Sequence, residues 1–162
     1  MRKSVTIVGA SLAGIRAAEV LRRDGFDGQI TLVGDEAHAP YDRPPLSKQV
    51  MAGKVEPEST QLLSDDALAA LELDWRLGRR ATALDVGART ITLDGGEPLA
   101  FDGLLIATGA SPRSIRGTEH LAGVHTLRTL EDSLALRKAF DANPSRVVVV
   151  GAGFIGAEVA AT

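Results

Sequence analysis

The sequence contains no cysteine, so its 162 residues exclude a disulfide, a thiolate metal site and any redox or catalytic thiol. It has no cluster of basic residues, and a net charge of −3 with a pI near 5.6 gives no footprint for nucleic acid. No apolar stretch approaches the roughly 18 residues of a membrane span. The composition, with 44% hydrophobic and 24% charged residues, is that of an ordinary globular protein, and we predict a cytoplasmic location.

Two stretches of the sequence follow one pattern, in which a Val-rich segment leads through a glycine turn into a helix-like segment. They are Val5–Gly14 and Val147–Gly156. Each is typical of a buried parallel strand, a tight turn and a helix whose N-terminus can hold a pyrophosphate. The pattern predicts an α/β fold with two dinucleotide sites, and a protein with two such sites usually passes electrons between them.

The first glycine turn departs from the full G-x-G-x-x-G pattern, because Gly9 and Gly14 flank Ser11 in the place of the middle glycine. Ser11 must tolerate a crowded turn, although its hydroxyl can donate to a phosphate. An acidic residue about 20 positions further on is expected to accept a hydrogen bond from a ribose hydroxyl. Asp35 and Glu36 both stand at that distance, with Asp35 the slightly better candidate.

The second glycine turn is complete, and we predict that it binds a nicotinamide dinucleotide through Gly151, Gly153, Ile155 and Gly156. The residue that distinguishes NAD from NADP in such units would lie beyond Thr162. The last segment has neither a C-cap nor a helix breaker. We therefore expect the chain to be the front portion of a longer protein.

A Pro-rich stretch, Pro40–Lys48, separates the second predicted strand from the rest of the chain. Its prolines restrict the backbone and present Arg43 and Lys48 close together, as a clamp for an anionic or electron-rich ring would require. The alternative is a surface connector with solvated charges. The sequence carries three histidines, His38, His120 and His125, without metal-ligand spacing, so no metal site is predicted.

Local signals predict the remaining elements. Period-two segments and turn residues indicate a three-stranded meander near Ala81–Phe101, with a hairpin turn at Asp94–Gly96. Further predicted strands are Ser4–Val8, Gln29–Val33, Asp74–Leu77, a buried Gly103–Ile106 and Arg146–Val150. Predicted helices begin after Leu12, run from Pro45 through Met51 and over Ala67–Leu71 behind an N-cap at Ser64, and extend from Thr129 to about Asp141.

Six segments of the chain together resemble flavoprotein reductases of the rubredoxin, putidaredoxin and biphenyl-dioxygenase ferredoxin reductase type. They are Gly9–Gly14, Gly34–Glu36, Pro40–Lys48, Leu105–Ala110, Leu127–Thr129 and Gly151–Glu158. These reductases are FAD- and NAD(P)H-dependent members of the glutathione-reductase-like superfamily. The resemblance covers essentially the whole chain, and its most specific part is Tyr-Asp-Arg-Pro-Pro-Leu-Ser-Lys.

The resemblance implies a Rossmann-like, three-layer FAD/NAD(P)-binding fold with a small β-meander. Residues 1–111 would form the first segment of an FAD-binding domain, and residues 112–162 the start of an NAD(P)-binding domain. Ala13 and Gly14 would bind the FAD pyrophosphate through their backbone, and Asp35 the adenosine ribose. Arg43 and Pro44 would lie along the FAD.

Further site residues follow from the same resemblance. Ala81 would lie beside the adenine, and Ala107-Thr108-Gly109 would form a second flavin-contacting turn. Arg128 would reach the FAD phosphates. Lys48 would stand near the flavin ring in an ion pair with Glu158, which would lie next to flavin and nicotinamide. The alternative for Glu158 is an ordinary carboxylate on a helix surface.

The absent cysteines exclude the disulfide, peroxide and CoA-disulfide reductases of the superfamily, which use redox-active thiols. The resemblance therefore implies electron transfer from NAD(P)H through FAD to a ferredoxin-like iron–sulfur protein. One alternative is a flavoprotein like apoptosis-inducing factor or NADH oxidase that reduces oxygen or a quinone. A second is a nucleotide-binding module without catalysis. We expect residues 1–162 alone to show little or no turnover.

Overall fold

The computed structural model describes residues 3–118 and 120–162. The chain forms two compact units, each built from two separate stretches of sequence. The first unit comprises the residues up to Tyr41 together with Gln61–Gly109, and the second comprises Asp42–Thr60 together with Ala110–Thr162. The Pro-rich stretch therefore divides after Tyr41. The domain division predicted at residue 111 stays a prediction.

A parallel sheet forms the centre of the first unit. Its strands are β1 (Ser4–Val8), β2 (Gln29–Gly34), β3 (Leu73–Leu77) and β7 (Gly103–Ile106). They lie in the order β3-β2-β1-β7. The core residues Ile7, Ile30 and Leu32 are fully buried, as the apolar composition of parallel strands requires. The predicted strands are thus confirmed here within one residue at each end.

Helix α1 (Leu12–Arg23) connects β1 to β2 and covers the sheet with Ile15 and Ala18, which are fully buried. It ends where Gly25 adopts a positive φ of 87°. The amide of Gly25 donates to the Arg22 carbonyl and the amide of Phe26 to the Leu21 carbonyl. These two hydrogen bonds form a Schellman motif, which confirms the predicted C-terminal glycine.

The meander predicted near Ala81–Phe101 is present as an antiparallel sheet of β4 (Ala81–Asp85), β5 (Thr90–Leu93) and β6 (Pro98–Ala100). Gly95 and Gly96 both have positive φ in the turn between β5 and β6. Ile91 and Leu93 are buried together with the ends of β1 and β2. Helix α2 (Asp65–Ala70) precedes β3, and the Ser64 side chain caps it as predicted.

The second unit contains two short 3₁₀ turns, Pro44–Ser47 and Pro57–Thr60, and two helices, α3 (Leu130–Asp141) and α4 (Phe154–Ala161). Helix α3 begins with a capping box, in which the Thr129 hydroxyl accepts from the Asp132 amide and the Asp132 carboxylate accepts from the Thr129 amide. The predicted start of this helix is confirmed, and its end at Asp141 agrees as well.

The helix predicted from Pro45 through Met51 is wrong. The structure has a 3₁₀ turn over Pro44–Ser47, in which the amide of Lys48 donates to the Pro45 carbonyl three residues back. The backbone of Lys48 then leaves the helical region with φ −132° and ψ −106°. Turns rather than a helix follow, as far as Gly53, whose φ is 65°.

Two predictions about strands also need correction. Arg146–Val150 forms no strand, because no described residue of the chain runs beside it to complete a hydrogen-bonded ladder. The side chains of Val148 and Val150 are accordingly 75% exposed. Gly103–Ile106 is a strand but is not buried, since β7 lies at the edge of the described sheet and Ile106 is 62% exposed.

Candidate functional site

The first glycine turn is packed so closely that two of its residues must be glycine. Gly9 has φ +122°, and a Cβ there would lie 2.1 Å from the Ala107 carbonyl oxygen. A Cβ on Gly14 would lie 1.9 Å from the Gly9 carbonyl oxygen. Ser11, in contrast, has an ordinary extended φ of −127°, so a side chain causes no strain at this position. The turn therefore keeps its conformation with a serine at position 11.

The two helices that follow glycine turns differ from the two others at their N-termini. Side chains of Ser64 and Thr129 accept hydrogen bonds from the first turns of α2 and α3. Neither Ser11 at α1 nor Gly153 at α4 provides such a side-chain bond. The first amides of α1 and α4 are thus left for another acceptor, and a phosphate is the ligand that a helix N-terminus favours.

The carboxyl ends of β1 and β7 lie side by side, because these strands pair in parallel from Val5 with Gly103 to Val8 with Ile106. The chain reaches β2 and β7 on opposite sides of β1, so a topological switch point lies here. Ligands of open α/β sheets bind at such points. The predicted turn Ala107–Gly109 stands at this edge, and the Ala107 amide donates to the Val8 carbonyl at 2.7 Å.

The two acidic candidates after β2 have different surroundings. Glu36 is half-buried and accepts a short hydrogen bond from the Tyr41 hydroxyl. Asp35 is exposed. Tyr41 is itself buried, with 7% of its surface exposed, and thus holds Glu36 within the unit. The structure therefore favours Asp35 over Glu36 as the side chain that can reach a ribose.

Ala81 is the first residue of β4, as predicted, and the strand is irregular at this point. Its partner in β5 is Leu93, and the register shifts between Ala81 and Ala83. Such a bulge leaves one residue outside the regular ladder and redirects the backbone. The residue left out of the ladder is Thr82, next to Ala81. The contact predicted between Ala81 and adenine stays a prediction.

In the second unit, Arg128 occupies the position just before the capping box of α3. Its amide donates to the Asp132 carboxylate at 2.8 Å, and its carbonyl accepts from Nη1 of Arg43 at 2.5 Å. The backbone of Arg128 is thus held at both its amide and its carbonyl group. The two arginines that the sequence predicts as flavin-nucleotide ligands therefore lie next to each other, although 85 residues separate them.

Lys48 and Glu158 form the expected ion pair. The distance from Lys48 Nζ to Glu158 Oε1 is 2.9 Å, and Lys48 Nζ also donates to the Pro44 carbonyl at 3.2 Å. The other carboxylate oxygen of Glu158 accepts from Ser47 Oγ at 2.5 Å. The Ser47 hydroxyl, followed by Lys48, lowers the pKa of Glu158 below its ordinary value, so the carboxylate stays ionised.

A cavity of about 290 Å³ lies over this pair. Its charged lining residues are three cations, Arg43, Lys48 and Arg128, and one anion, Glu158. The excess of positive charge suits an anionic or electron-rich ligand, as a flavin nucleotide is. Pro44, Leu127 and Ile155 add apolar wall, so the donor set and shape fit one face of a ring system.

The second glycine turn repeats the geometry of the first. Gly151 has φ +117°, close to that of Gly9, and a Cβ on Gly156 would lie 2.6 Å from the Gly151 carbonyl oxygen. Gly153 has open space around it. The turn lines a wider cavity of about 950 Å³, which also includes Ile155. The predicted nicotinamide-site residues are thus brought together, although Arg146–Val150 before them forms no strand.

Acidification is expected to remove the stabilisation that the Lys48–Glu158 pair provides. Because the folded pKa of Glu158 is lowered, this stability is present above the ordinary value of 4.5 and is lost as the pH falls through the folded pKa. We expect Glu158→Gln to lower the thermal midpoint at neutral pH, and the difference from the native chain to vanish in acid. Circular dichroism melts at stepped pH measure this.

The control for this measurement is Glu58→Gln, which removes one carboxylate from an exposed position of the same unit. A midpoint difference for Glu158→Gln that stays constant from neutral pH into acid would contradict the expected role of the ion pair.

Sequence reasoning missed two residues of the second unit that hold the site together. Ser47 contacts Glu158, and Asp132 fixes the Arg128 amide. The sequence pattern predicts Asp132 as a capping residue, but it does not predict the hydrogen bond from the Arg128 amide to Asp132. Ser47 carried no separate signal, because a serine in a Pro-rich stretch is typical of any turn.

The described residues contain no cluster of His, Asp or Glu that could hold a metal ion. His38 instead packs edge-on against the Tyr41 ring. Within the same residues, every helix is too short or too polar to span a bilayer.

Two curated proteins that are similar to this chain are named as reductases. The biphenyl dioxygenase system ferredoxin–NAD(+) reductase component of Paraburkholderia xenovorans (strain LB400) is 49% identical over 164 residues. Putidaredoxin reductase CamA of Pseudomonas putida is 41% identical over 163 residues. These alignments cover 100% and 98% of this chain but 40% and 38% of the relatives. The chain thus spans about two fifths of their length.

Solved structures give the same result. The putidaredoxin reductase of the covalent putidaredoxin reductase–putidaredoxin complex superposes with a TM-score of 0.90 at 40% identity, over 98% of this chain and 39% of that chain. The ferredoxin reductase for the CYP199A2 system of Rhodopseudomonas palustris has a TM-score of 0.90 at 36% identity, with the same coverage. The fold is therefore the Rossmann-like FAD/NAD(P)-binding fold that the sequence predicted.

The family of pyridine nucleotide-disulphide oxidoreductases matches residues 3–162. Its pattern thus includes both glycine turns and the Pro-rich stretch between them, which are the features that form the two candidate nucleotide sites. Because this match spans nearly the whole sequence, the chain belongs to the pyridine nucleotide-disulphide oxidoreductase family, although it contains no cysteine.

Proposed function

We propose that this chain is the N-terminal part of a flavoprotein reductase that passes electrons from NAD(P)H through FAD to a ferredoxin-type iron–sulfur protein. The observation that carries the proposal is the cationic cavity of the second unit, with the Lys48–Glu158 ion pair at its wall. Its relatives, a ferredoxin–NAD(+) reductase and a putidaredoxin reductase, support the same activity.

Residues of the first unit are proposed to hold the ADP half of FAD. The open N-terminus of α1 presents the amides of Ala13 and Gly14, next to a turn whose backbone packs closely at Gly9. Asp35 would accept from the ribose, because Glu36 is already bonded to Tyr41. Ala81 and the turn Ala107–Gly109 would contribute through their backbone. Ser11 has a hydroxyl directed at no helix amide and would donate to phosphate.

Residues of the second unit are proposed to contact the remainder of the flavin nucleotide. Arg43 and Arg128 would pair with its phosphates, and Pro44 would lie along it. Lys48 and Glu158 would stand next to the flavin ring, where an ion pair orients the nicotinamide and adjusts the local electrostatics. FAD, when bound, accepts a hydride and releases electrons singly, which an iron–sulfur acceptor requires.

The second glycine turn is proposed to bind the nicotinamide dinucleotide through Gly151, Gly153, Ile155 and Gly156. The uncapped N-terminus of α4 would receive its pyrophosphate. A cytoplasmic location stays a prediction.

The test uses the full-length protein that contains these 162 residues. We expect a yellow protein with an absorption maximum at roughly 450 nm, as flavins generally have. NADH or NADPH should bleach this absorption, and a one-electron dye should be reduced faster when a ferredoxin is added. Rapid reoxidation by oxygen or quinone with no effect of ferredoxin would favour the oxidase alternative. A colourless protein would favour the non-catalytic module.

The isolated 162-residue chain is the matched comparison. We expect it to show little or no NADH-driven dye reduction, because it spans about two fifths of the length of its curated relatives. Turnover at the full-length rate would overturn this expectation.

A further inference from the structure

Ser47 is a buried residue of the Pro-rich stretch and contacts a charged group. Only 5% of its surface is exposed, and its hydroxyl donates to Glu158 Oε2 at 2.5 Å. Lys48 binds the opposite oxygen of the same carboxylate at 2.9 Å. The carboxylate is therefore held at both oxygens, once by a long cationic side chain and once by a short neutral one.

The backbone that carries the Ser47 hydroxyl is fixed by its neighbours. Ser47 ends the 3₁₀ turn, and its carbonyl accepts from Thr162 Oγ1 at 3.1 Å. The preceding carbonyl, of Leu46, accepts from the fully buried Ser133 hydroxyl of α3 at 2.7 Å. Two helices thus hold the turn, and the one side-chain torsion of serine leaves the hydroxyl little freedom.

Lys48 alone does not fix the carboxylate to the same degree. Its side chain is 41% exposed, has four rotatable bonds and shares its ammonium with the Pro44 carbonyl. The charged groups around Glu158 in the cavity are Lys48, Arg43 and Arg128, all of them cations. Without Ser47, Lys48 would be the one remaining partner that the described contacts give this carboxylate.

We propose that Ser47 is a positioning residue that orients the Glu158 carboxylate toward Lys48. The proposal deepens the proposed function, because it assigns the residue that sets the geometry of the ion pair next to the flavin site. Serine suits this task, since it donates a hydrogen bond without adding a charge to the pair. A hydrogen bond to the ionised carboxylate also favours that form over the protonated one.

The first test is a titration of Glu158 in the full-length protein, monitored by carboxyl ¹³C NMR with labelled glutamate. Ser47→Ala should raise the titration midpoint of Glu158 toward the ordinary glutamate value. The control is Ser59→Ala, which removes an exposed hydroxyl that donates to the Glu56 carbonyl in the same unit. The control should titrate like the native chain. An unchanged midpoint in Ser47→Ala would overturn the proposal.

The second test is a double-mutant cycle in the full-length reductase, read by stopped-flow reduction of the flavin with NADH. Ser47→Ala should slow flavin reduction about fivefold with little change in KM, the size expected for one hydrogen bond to a partly exposed charge. Glu158→Gln should be slower, and adding Ser47→Ala to it should cost nothing further. Additive losses would show that Ser47 acts independently of Glu158, against the proposal.

The two tests separate this proposal from the proposed function. The carboxyl titration needs no flavin, so it decides the role of Ser47 even if the full-length protein proves colourless. A yellow, ferredoxin-dependent protein with an unmoved Glu158 midpoint would retain the reductase and reject Ser47 as its positioning residue.

Discussion

Gly14→Ala is expected to destabilise the first unit by about 3 kcal/mol, as forced overpacking against rigid neighbours does. Alanine in a helix normally gains about 1 kcal/mol over glycine, so the effect has the opposite sign to helix propensity. The cause is the Gly9 carbonyl oxygen, which would lie 1.9 Å from the new Cβ. The Gly9 carbonyl group cannot move aside without opening the turn between β1 and α1.

Urea unfolding measured by tryptophan fluorescence reports on this unit, because Trp75 is the only tryptophan and packs against the core of the parallel sheet. The control is Gly87→Ala in the turn after β4, where the nearest atom is a carboxylate oxygen 3.4 Å away. It should change the stability by less than about 0.5 kcal/mol. Equal midpoints for the two variants would show that the turn at Gly14 is not close-packed.

Arg22→Ala is expected to cost about 3 kcal/mol in the same assay, because its guanidinium satisfies several backbone carbonyls at once. Nε donates to the Leu71 carbonyl at 2.8 Å and Nη2 to the Glu72 carbonyl at 3.1 Å, at the end of α2. Nη1 donates to the Phe26 and Gly28 carbonyls, each at 2.8 Å, in the loop after α1. The side chain therefore joins two helix ends.

The neighbouring Arg23 gives a matched control, since its side chain is 72% exposed and its guanidinium donates to the adjacent Asp24 carboxylate. Arg23→Ala should change stability by less than about 0.5 kcal/mol. Arg22→Lys should lose most of the stabilisation, because an ammonium cannot reproduce the planar arrangement of donors. A stability of Arg22→Lys equal to the native value would contradict this account.

Short-range signals predicted the local elements well. The N-caps at Ser64 and Thr129 and the C-terminal Gly25 are all confirmed. In each case the deciding hydrogen bonds join residues three to five positions apart, which a sequence pattern contains in full. Local signals failed at Pro45–Met51, where two adjacent prolines suggested a helix start but only a 3₁₀ turn forms.

Strand pairing depended on more than the pattern of apolar residues. Arg146–Val150 contains four valines and Ser4–Val8 only two, yet only Ser4–Val8 is a strand, because β2 and β7 supply its hydrogen-bonding partners. A β-ladder needs a neighbour as well as a propensity. The same argument explains the exposure of Ile106, since a buried strand requires cover that its own sequence does not specify.

The sequence by itself determined where a nucleotide phosphate can approach, because Gly9, Gly14, Gly151 and Gly156 fix two tight turns through the backbone alone. It also determined, by containing no cysteine, that these residues carry no thiol chemistry. Only the tertiary structure decided which side chains meet. Ser47 and Glu158 are 111 residues apart, and their contact arises from the packing of α4 on the 3₁₀ turn. Packing of distant segments depends on the whole chain, so no local pattern contains it.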